Sequence, residues 1–427
     1  MVRQPDQIVI IGGSIWGNRG ASAMLETTIH KVRETNPAIK IIVFTPYPKK
    51  DESLSIDSSL TFYDSRPQAI IQYFLQAVWA WIVKKFGGSN TLSGAAGALT
   101  QSNLLLDIGG ITFADGRLIF LPYNILTIWP SILHNVPVIK LSQAAGSFKN
   151  PIIRWASQVF LSRCDYFFAR GEKTLEHLTG LNLDMRKVSL ASDIAFSYKP
   201  SFCLSRENQK SVEQLCEILR DKAGKGEKII GISPSILVSD KMRSADSDYS
   251  SIVIDMLKKS DYQNQTYVIF PNAAREGSKK TKNNDLHVIQ ALRDIAELEL
   301  PYSIYNKIYW VNYDLDSSGV EAVINHTNLV ISSRFHAMVA SLRLAKPTLV
   351  IGWGHKYKEV MKQFGLQDFV FDYRMDRNEL PEKINFLHQN VDEIIQKIQI
   401  ALRHEIKISQ QQFDYVSKKI SQNSKPA

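Results

Sequence analysis

Cysteine is scarce in this chain. Three in 427 residues, Cys164, Cys203 and Cys216, are too few and too scattered for a disulfide framework or a zinc site, and they fit a reduced cytoplasmic compartment. Long apolar runs are also missing. The longest, Ala69 to Val83, is interrupted by Gln72 and Gln76 and falls short of a membrane span. Residues Met1 to Gln7 lead straight into a strand pattern, with neither the apolar length nor the cleavage pattern of a signal peptide, so none is expected. No dense Arg/Lys block is interleaved with aromatics, which argues against nucleic acid. A full G-x-G-x-x-G, a Walker loop and a G-x-S-x-G elbow are all absent. Asp107 and Asp115 share a loop, but no dense ligand set surrounds them, so no catalytic metal is expected.

What is present is an ordinary globular composition, 44% hydrophobic and 22% charged. The length exceeds what one hydrophobic core serves and predicts two domains of about 200 residues each. The formal net charge of +9 fits solubility, an anionic substrate or an acidic membrane surface. The aromatic-rich segment Ala69 to Val83, with Tyr73, Phe74, Trp79 and Trp81, reads either as a buried helix or as one lying on a membrane surface, since Lys84 and Lys85 follow it.

Strands alternate with helices throughout. Ile8–Ile11 is a branched apolar run closed by Gly12, Gly13 and Ser14; Gly17-Asn18-Arg19-Gly20-Ala21 then leads into a helix. Small residues at such a loop let a backbone approach a ligand. Lys40–Phe44, Leu104–Gly110, Val136–Gln143, Asp165–Ala169 and Val188–Ala191 repeat the strand pattern, with Gly, Ser and Arg at their C-terminal ends. Pro200 to about Gly226 is polar and marks the junction. A second series follows at Lys228–Ser235, Tyr267–Asn272, Ile308–Val311, Leu329–Ser332 and Pro347–Gly352. The pattern predicts two Rossmann-like doubly wound parallel-sheet α/β domains, 1–200 and 201–427, facing across a ligand cleft. Ile394, Ile395, Ile398 and Leu402 predict a long final helix that packs back on the other domain. The lysine-rich run Ser278–Lys282 reads as an exposed loop.

The stretch Leu329 to Ala345 carries the most chemistry. A buried strand is followed by Ser332 and Ser333, either able to cap a helix whose apolar face is Phe335, Met338, Val339 and Leu342. Arg334 and His336 then fall in its first turn, beside free amides and the positive dipole end, where α/β proteins bind anions. The dipole biases His336 towards its neutral form, and a bound phosphate pushes the other way, so it can act as a substrate-linked proton donor or acceptor. Arg170 ends a strand of the first half. Each of the three residues alone is as readily an ion pair or a satisfied histidine. Together, with glycine loops on both sides, they point to a strongly anionic small molecule. Lys356, with Lys358, could add charge at the neighbouring strand end.

Several stretches, in this order and spacing, resemble the polysaccharide pyruvyl transferase family. They are Gly17–Ala21, Asp107–Gly110 with Asp115, Leu141–Gly146, Phe168–Glu172, Ser192–Phe196 and above all Ser332–Ala337. The chain departs from the family's usual pattern at Ala21, at Arg170-Gly171-Glu172 and at Ile194. The resemblance implies a fold like that of GT-B glycosyltransferases. It also implies transfer of pyruvate from phosphoenolpyruvate to a sugar of a polysaccharide or its precursor, as a cyclic ketal with release of phosphate. Arg170, Arg334 and His336 would be catalytic, and Ser333, Lys356, Gly17, Asn18, Gly109, Gly110 and Gln143 would bind substrate. Arg334 would hold phosphate, Arg170 carboxylate, and no cofactor would be needed beyond the donor. The acceptor would be a sugar, an oligosaccharide or a lipid-linked saccharide. The protein would be cytoplasmic, either free or held peripherally at the inner face of the membrane. Two rival readings are a GT-B nucleotide-sugar glycosyltransferase and a non-catalytic component of a polysaccharide assembly complex.

Overall fold

The computed structural model describes residues 6–55, 57–89, 91–199, 206–259, 264–278, 281–352, 354–372 and 374–423. Cys203, Lys279, Lys280, Met1 to Pro5 and the first residues of the junction from Pro200 lie outside these. The chain forms two compact units: Met1–Ile15, Ala21–Lys199 and Glu405–Ala427 make the first, and Trp16–Gly20 with Pro200–His404 the second.

The first unit is built on an eight-stranded sheet of β1 (Gln7–Ile11), β2 (Lys40–Thr45), β3 (Thr61–Asp64), β4 (Leu104–Asp107), β5 (Ile111–Ala114), β6 (Val138–Gly146), β7 (Tyr166–Arg170) and β8 (Val188–Ala191). The strand order is β3-β2-β1-β4-β6-β7-β8, with β5 beside β6, and every pairing is parallel. The second unit holds β9 (Lys228–Ser233), β10 (Gln265–Ile269), β11 (Ile308–Trp310), β12 (Leu329–Ser332), β13 (Thr348–Ile351) and β14 (Val370–Phe371), all parallel in the order β11-β10-β9-β12-β13-β14.

Helices cover both faces of a parallel sheet, which is why these strands are apolar runs instead of alternating ones. Ile8, Val9 and Ile10 in β1, and Leu329, Val330 and Ile331 in β12, are all buried although successive side chains point to opposite faces. Each such side chain contributes about 1.5–3 kcal/mol of transfer free energy.

In both sheets the winding reverses beside the first strand, between β1 and β4 and between β9 and β12. Loops leaving the carboxyl ends of two such strands diverge, and the gap between them is where doubly wound sheets take ligands. The two switch points therefore select Gly12–Ser14 with Asp107–Gly110, and Ser233–Ile236 with Ser333–His336.

Two segments cross the division expected at residue 200. Trp16–Gly20 joins the second unit because Asn18 bridges Ala273, the Ala274 amide donates to the Gly17 carbonyl at 3.0 Å, and the Arg19 amide donates to the Asn272 carbonyl at 3.1 Å. The helix Val391–Asn423 belongs to the second unit up to His404 and to the first from Glu405. There Phe413, Val416 and Ile420 are buried, and the Tyr415 ring lies 4.2 Å from that of Tyr166. No helix among the described residues is long and apolar enough to cross a membrane.

Candidate functional site

The second switch point is organised by a carboxylate that no local pattern in the sequence singles out. Asp285 is completely buried, and its Oδ1 and Oδ2 accept from Arg334 Nε at 3.0 and 2.8 Å, with Arg334 Nη2 completing a bidentate pair. Asp285 also accepts from the Ile236 amide at 3.1 Å, just beyond β9, and from the Ala273 amide at 2.9 Å. One carboxylate thus joins the ends of β9, β10 and β12. A buried charge persists only with such pairing and hydrogen bonding.

The helix Phe335–Arg343 begins differently from the sequence expectation. Arg334 itself is the N-cap, and no side chain caps the first amides. Ser332 Oγ instead accepts from the Arg334 amide at 3.1 Å and donates to its carbonyl at 2.8 Å. Ser333 is buried, its hydroxyl 2.9 Å from the Tyr249 hydroxyl and its carbonyl accepting from the Tyr357 hydroxyl at 2.9 Å. Burial pushes the Tyr357 phenol up to about 12, so it stays a donor at any ordinary pH. Both serines thus shape the turn that leads into the helix.

His336 occupies the second helical position, half-buried, with its ring 5.1 Å from that of Phe335. The Lys356 ammonium lies 5.1 Å from the Phe335 ring and 5.0 Å from that of Tyr357, so a cation stands beside the same helix start. The Gly17-Asn18-Arg19-Gly20 loop closes another side. A Cβ at Gly20 would fall 2.0 Å from Cγ and Nδ1 of His336, so only glycine fits there. Arg19 is ion-paired with Asp314, whose carboxyl is pushed up by burial against the pull of that guanidinium. Gly17, Asn18, Ser333, Arg334, His336 and Lys356 thus gather in the second unit.

The first unit gathers the others. Asp107 ends β4, pairs with the buried Lys140, and accepts from the Gly109 amide at 2.9 Å. Gln143 is fully buried: its amide donates to the Asp107 carbonyl at 3.0 Å, and its oxygen accepts from the Thr112 hydroxyl at 2.6 Å. It braces the loop and has no open face for a ligand. Arg170 donates to Asp193 at 2.7 Å and to the Gly110 carbonyl at 2.9 Å. Gly12 has φ of 86°, and a Cβ there would lie 2.4 Å from the Gly109 amide nitrogen, so the β1 and β4 loops meet backbone to backbone. Beside them opens a cavity of ≈ 280 Å³, lined among others by Gly13, Asp107, Gly109, Arg117, Phe120 and Tyr123.

Both arginines are therefore held by carboxylates, the ion pairing weighed for each alone, but the pairs are buried and their partners lie far away in the sequence. Asp193 lies in the Ser192–Phe196 stretch, but its pairing to Arg170 spans 23 positions; Asp285 and Arg334 are 49 apart. Helical and strand periodicities report neighbours within one element and are silent at such separations.

A family model described as polysaccharide pyruvyl transferase matches residues 18–355. The chain is 19% identical over 422 residues to the amylovoran biosynthesis protein AmsJ of Erwinia amylovora, covering 93% of this chain and 96% of that protein. Among solved structures it is similar to the UDP-GlcNAc 2-epimerase of Neisseria meningitidis bound to UDP-GlcNAc, at TM-score 0.59 and 13% identity over 97% of this chain and 100% of that one. It is similar also to Anabaena Alr3699/HepE in complex with UDP and glucose, at TM-score 0.57 and 11% identity over the same shares. These structural likenesses establish the GT-B-like fold of two Rossmann-like units. With the family's match running from Asn18, through the Arg334–His336 turn, to His355, this chain belongs to the polysaccharide pyruvyl transferase family.

Proposed function

We propose that this chain transfers the pyruvyl group of phosphoenolpyruvate to a saccharide in polysaccharide synthesis, forming a cyclic ketal and releasing phosphate. One observation carries the reading: an uncapped helix start at the second switch point, with His336 in its first turn and Lys356 beside it. Helix amides and an ammonium are matched to a phosphate, and a charge-assisted bond there is about twice as strong as a neutral one.

In this proposal the amides of Phe335 to Ala337 and Lys356 hold the donor phosphate. Arg334 is fixed by Asp285 through Nε and Nη2, and its Nη1, 3.5 Å from Asn283 Oδ1, turns in this proposal to the donor carboxylate instead of the phosphate expected from the sequence. Protonation of the methylene carbon of the enol, relayed by His336, turns it into a methyl group. A sugar hydroxyl bonds to the adjacent carbon and gives up its proton. The carbon–oxygen bond to phosphate then breaks, phosphate carries away the electron pair, and a second hydroxyl closes the ring, its proton leaving with phosphate. Preorganised donors stabilise the charge that develops on the departing phosphate. Arg170, through Asp193 and Gly110, keeps the Asp107–Gly110 loop in shape beside the cavity proposed for the saccharide. The donor suits a cytoplasmic reaction.

Calorimetric titration of phosphoenolpyruvate tests the donor. Binding by the native protein, and phosphate release with saccharide extract that is lost in His336→Ala, are expected. No binding at millimolar donor, or release of nucleoside diphosphate from a nucleotide sugar, would overturn the reading in favour of a scaffold or a glycosyltransferase.

A further inference from the structure

The first unit carries an apolar surface that the chemistry above does not use. Helix Pro67–Lys85 has no acidic residue and ends in Lys84 and Lys85. Its inner face packs through Ile70, Ala77 and Ala80, with Tyr73 edge-on to Phe44. Its outer face carries an apolar stripe beside the exposed Gln72 and Gln76: Ile71, Leu75 and Trp79, at spacings of four, are 47%, 60% and 62% exposed, and Phe86 just beyond the helix is 84% exposed. Large apolar side chains on the outer face of a helix are ordinarily covered. Here one face is open.

A second apolar element adjoins it. The helix Leu121–Leu126 packs against Pro67–Lys85 and directly follows the 3-10 turn Leu118–Phe120. In that turn Ile119 is 84% exposed and Phe120 50%.

Two features choose the occupant. The Lys85 ammonium sits 5.2 Å from the Trp81 ring, so its stem lies along apolar surface while its head stays polar. Tryptophan with flanking lysines is the pattern of a helix lying in a membrane interface. Cations also stand on these two elements: Lys84 and Lys85 at the end of the helix and Arg117 before the turn are complementary to anionic headgroups.

We propose that this face of the first unit docks on an anionic bilayer surface. The Ile71–Leu75–Trp79 stripe and the Ile119–Phe120 tip enter the headgroup region, and Lys84, Lys85 and Arg117 meet lipid phosphates. Because Arg117 and Phe120 also line the cavity of the first unit, docking brings that cavity to the membrane, where a saccharide carried on a lipid would be presented. The inference rests on exposed side chains and not on the donor assignment, although its choice of acceptor presupposes the proposed transfer.

Co-sedimentation with vesicles of phosphatidylcholine, alone or mixed with phosphatidylglycerol, tests it. The native protein is expected to sediment with the anionic vesicles and much less with the neutral ones. Lys84→Ser with Lys85→Ser should weaken that binding by about thirty-fold. Leu75→Ser with Trp79→Ser should abolish it without lowering the melting temperature, since these side chains are exposed. Failure of the native protein to sediment, or binding at the native level by either variant, would overturn the proposal. So would a native dimer in light scattering that the Leu75/Trp79 variant dissociates, which assigns the face to a second copy. Phosphoenolpyruvate titration is unaffected by either variant, so the two readings fail separately.

Discussion

Replacing Asp285 by asparagine removes one charge from a fully buried carboxylate and leaves its shape almost unchanged. The native carboxylate balances the Arg334 guanidinium and accepts from the Ile236 and Ala273 amides. Asparagine keeps one oxygen for an amide but turns an NH2 towards donors and leaves the guanidinium without its counter-charge. Breaking a buried pair by removing one partner costs about 3–5 kcal/mol, and the retained oxygen sets the expectation at the lower end, about 3 kcal/mol. For a unit of about 200 residues, each kcal/mol lowers the melting temperature by about 2–4 °C, so a fall of about 6–12 °C is expected. Calorimetry resolves it. The double variant Asp285→Asn with Arg334→Met should lose less than the sum of the single changes, because the second substitution removes the stranded cation. A melting temperature within about 2 °C of native for Asp285→Asn, or strict additivity in the cycle, would refute the claim that this pair holds the switch point together.

Lys356→Ala should weaken phosphoenolpyruvate binding by about tenfold or more, the worth of a charged hydrogen bond, without changing the melting temperature; unchanged affinity by calorimetry would remove Lys356 from the site. Gly20→Ala drives a Cβ to 2.0 Å from the His336 ring; displacing that ring by about 1 Å should cost about a hundred-fold in phosphate release, and native turnover would show that His336 is not placed by this contact. Burial lowers the pKa of His388 to about 4 from 6.5. The unfolded chain therefore takes up its proton first as pH falls, so the contribution of neutral His388 is fully present above pH 6.5 and is lost towards pH 4. His388→Gln should flatten the decline of melting temperature across that window, and parallel curves would contradict the assignment.

Much of the fold was legible because parallel strands buried on both faces write themselves as short branched runs. Ile8–Ile11, Lys40–Phe44 and Leu329–Ser332 all reappear as strands within a residue or two of their expected bounds. Three strands were missed for physical reasons. Thr61–Asp64 is only half-buried throughout, so its pattern lacks the continuous apolar signal, and Val370–Phe371 is two residues long. Ile111–Ala114 follows Gly109 and Gly110 so closely that it reads as the glycine loop itself. At the site, local sequence located the helix start, Arg334 and His336, because strand, turn and helix are contiguous there. It could not supply Asp285 or say that Ser333 turns inward to Tyr249, since those contacts depend on how distant strands align. Gly20 shows an intermediate case: its motif was visible, and its reason, the imidazole packed against it, was not.

The central claim is that an anionic donor binds at the start of the helix Phe335–Arg343. A crystal structure of the protein soaked with phosphoenolpyruvate tests it most directly. The donor phosphate is expected within hydrogen-bond distance of the amides of Phe335 to Ala337 and of Lys356, with the His336 ring beside the methylene carbon. Donor bound elsewhere in the chain, or no donor at millimolar concentration, would contradict it.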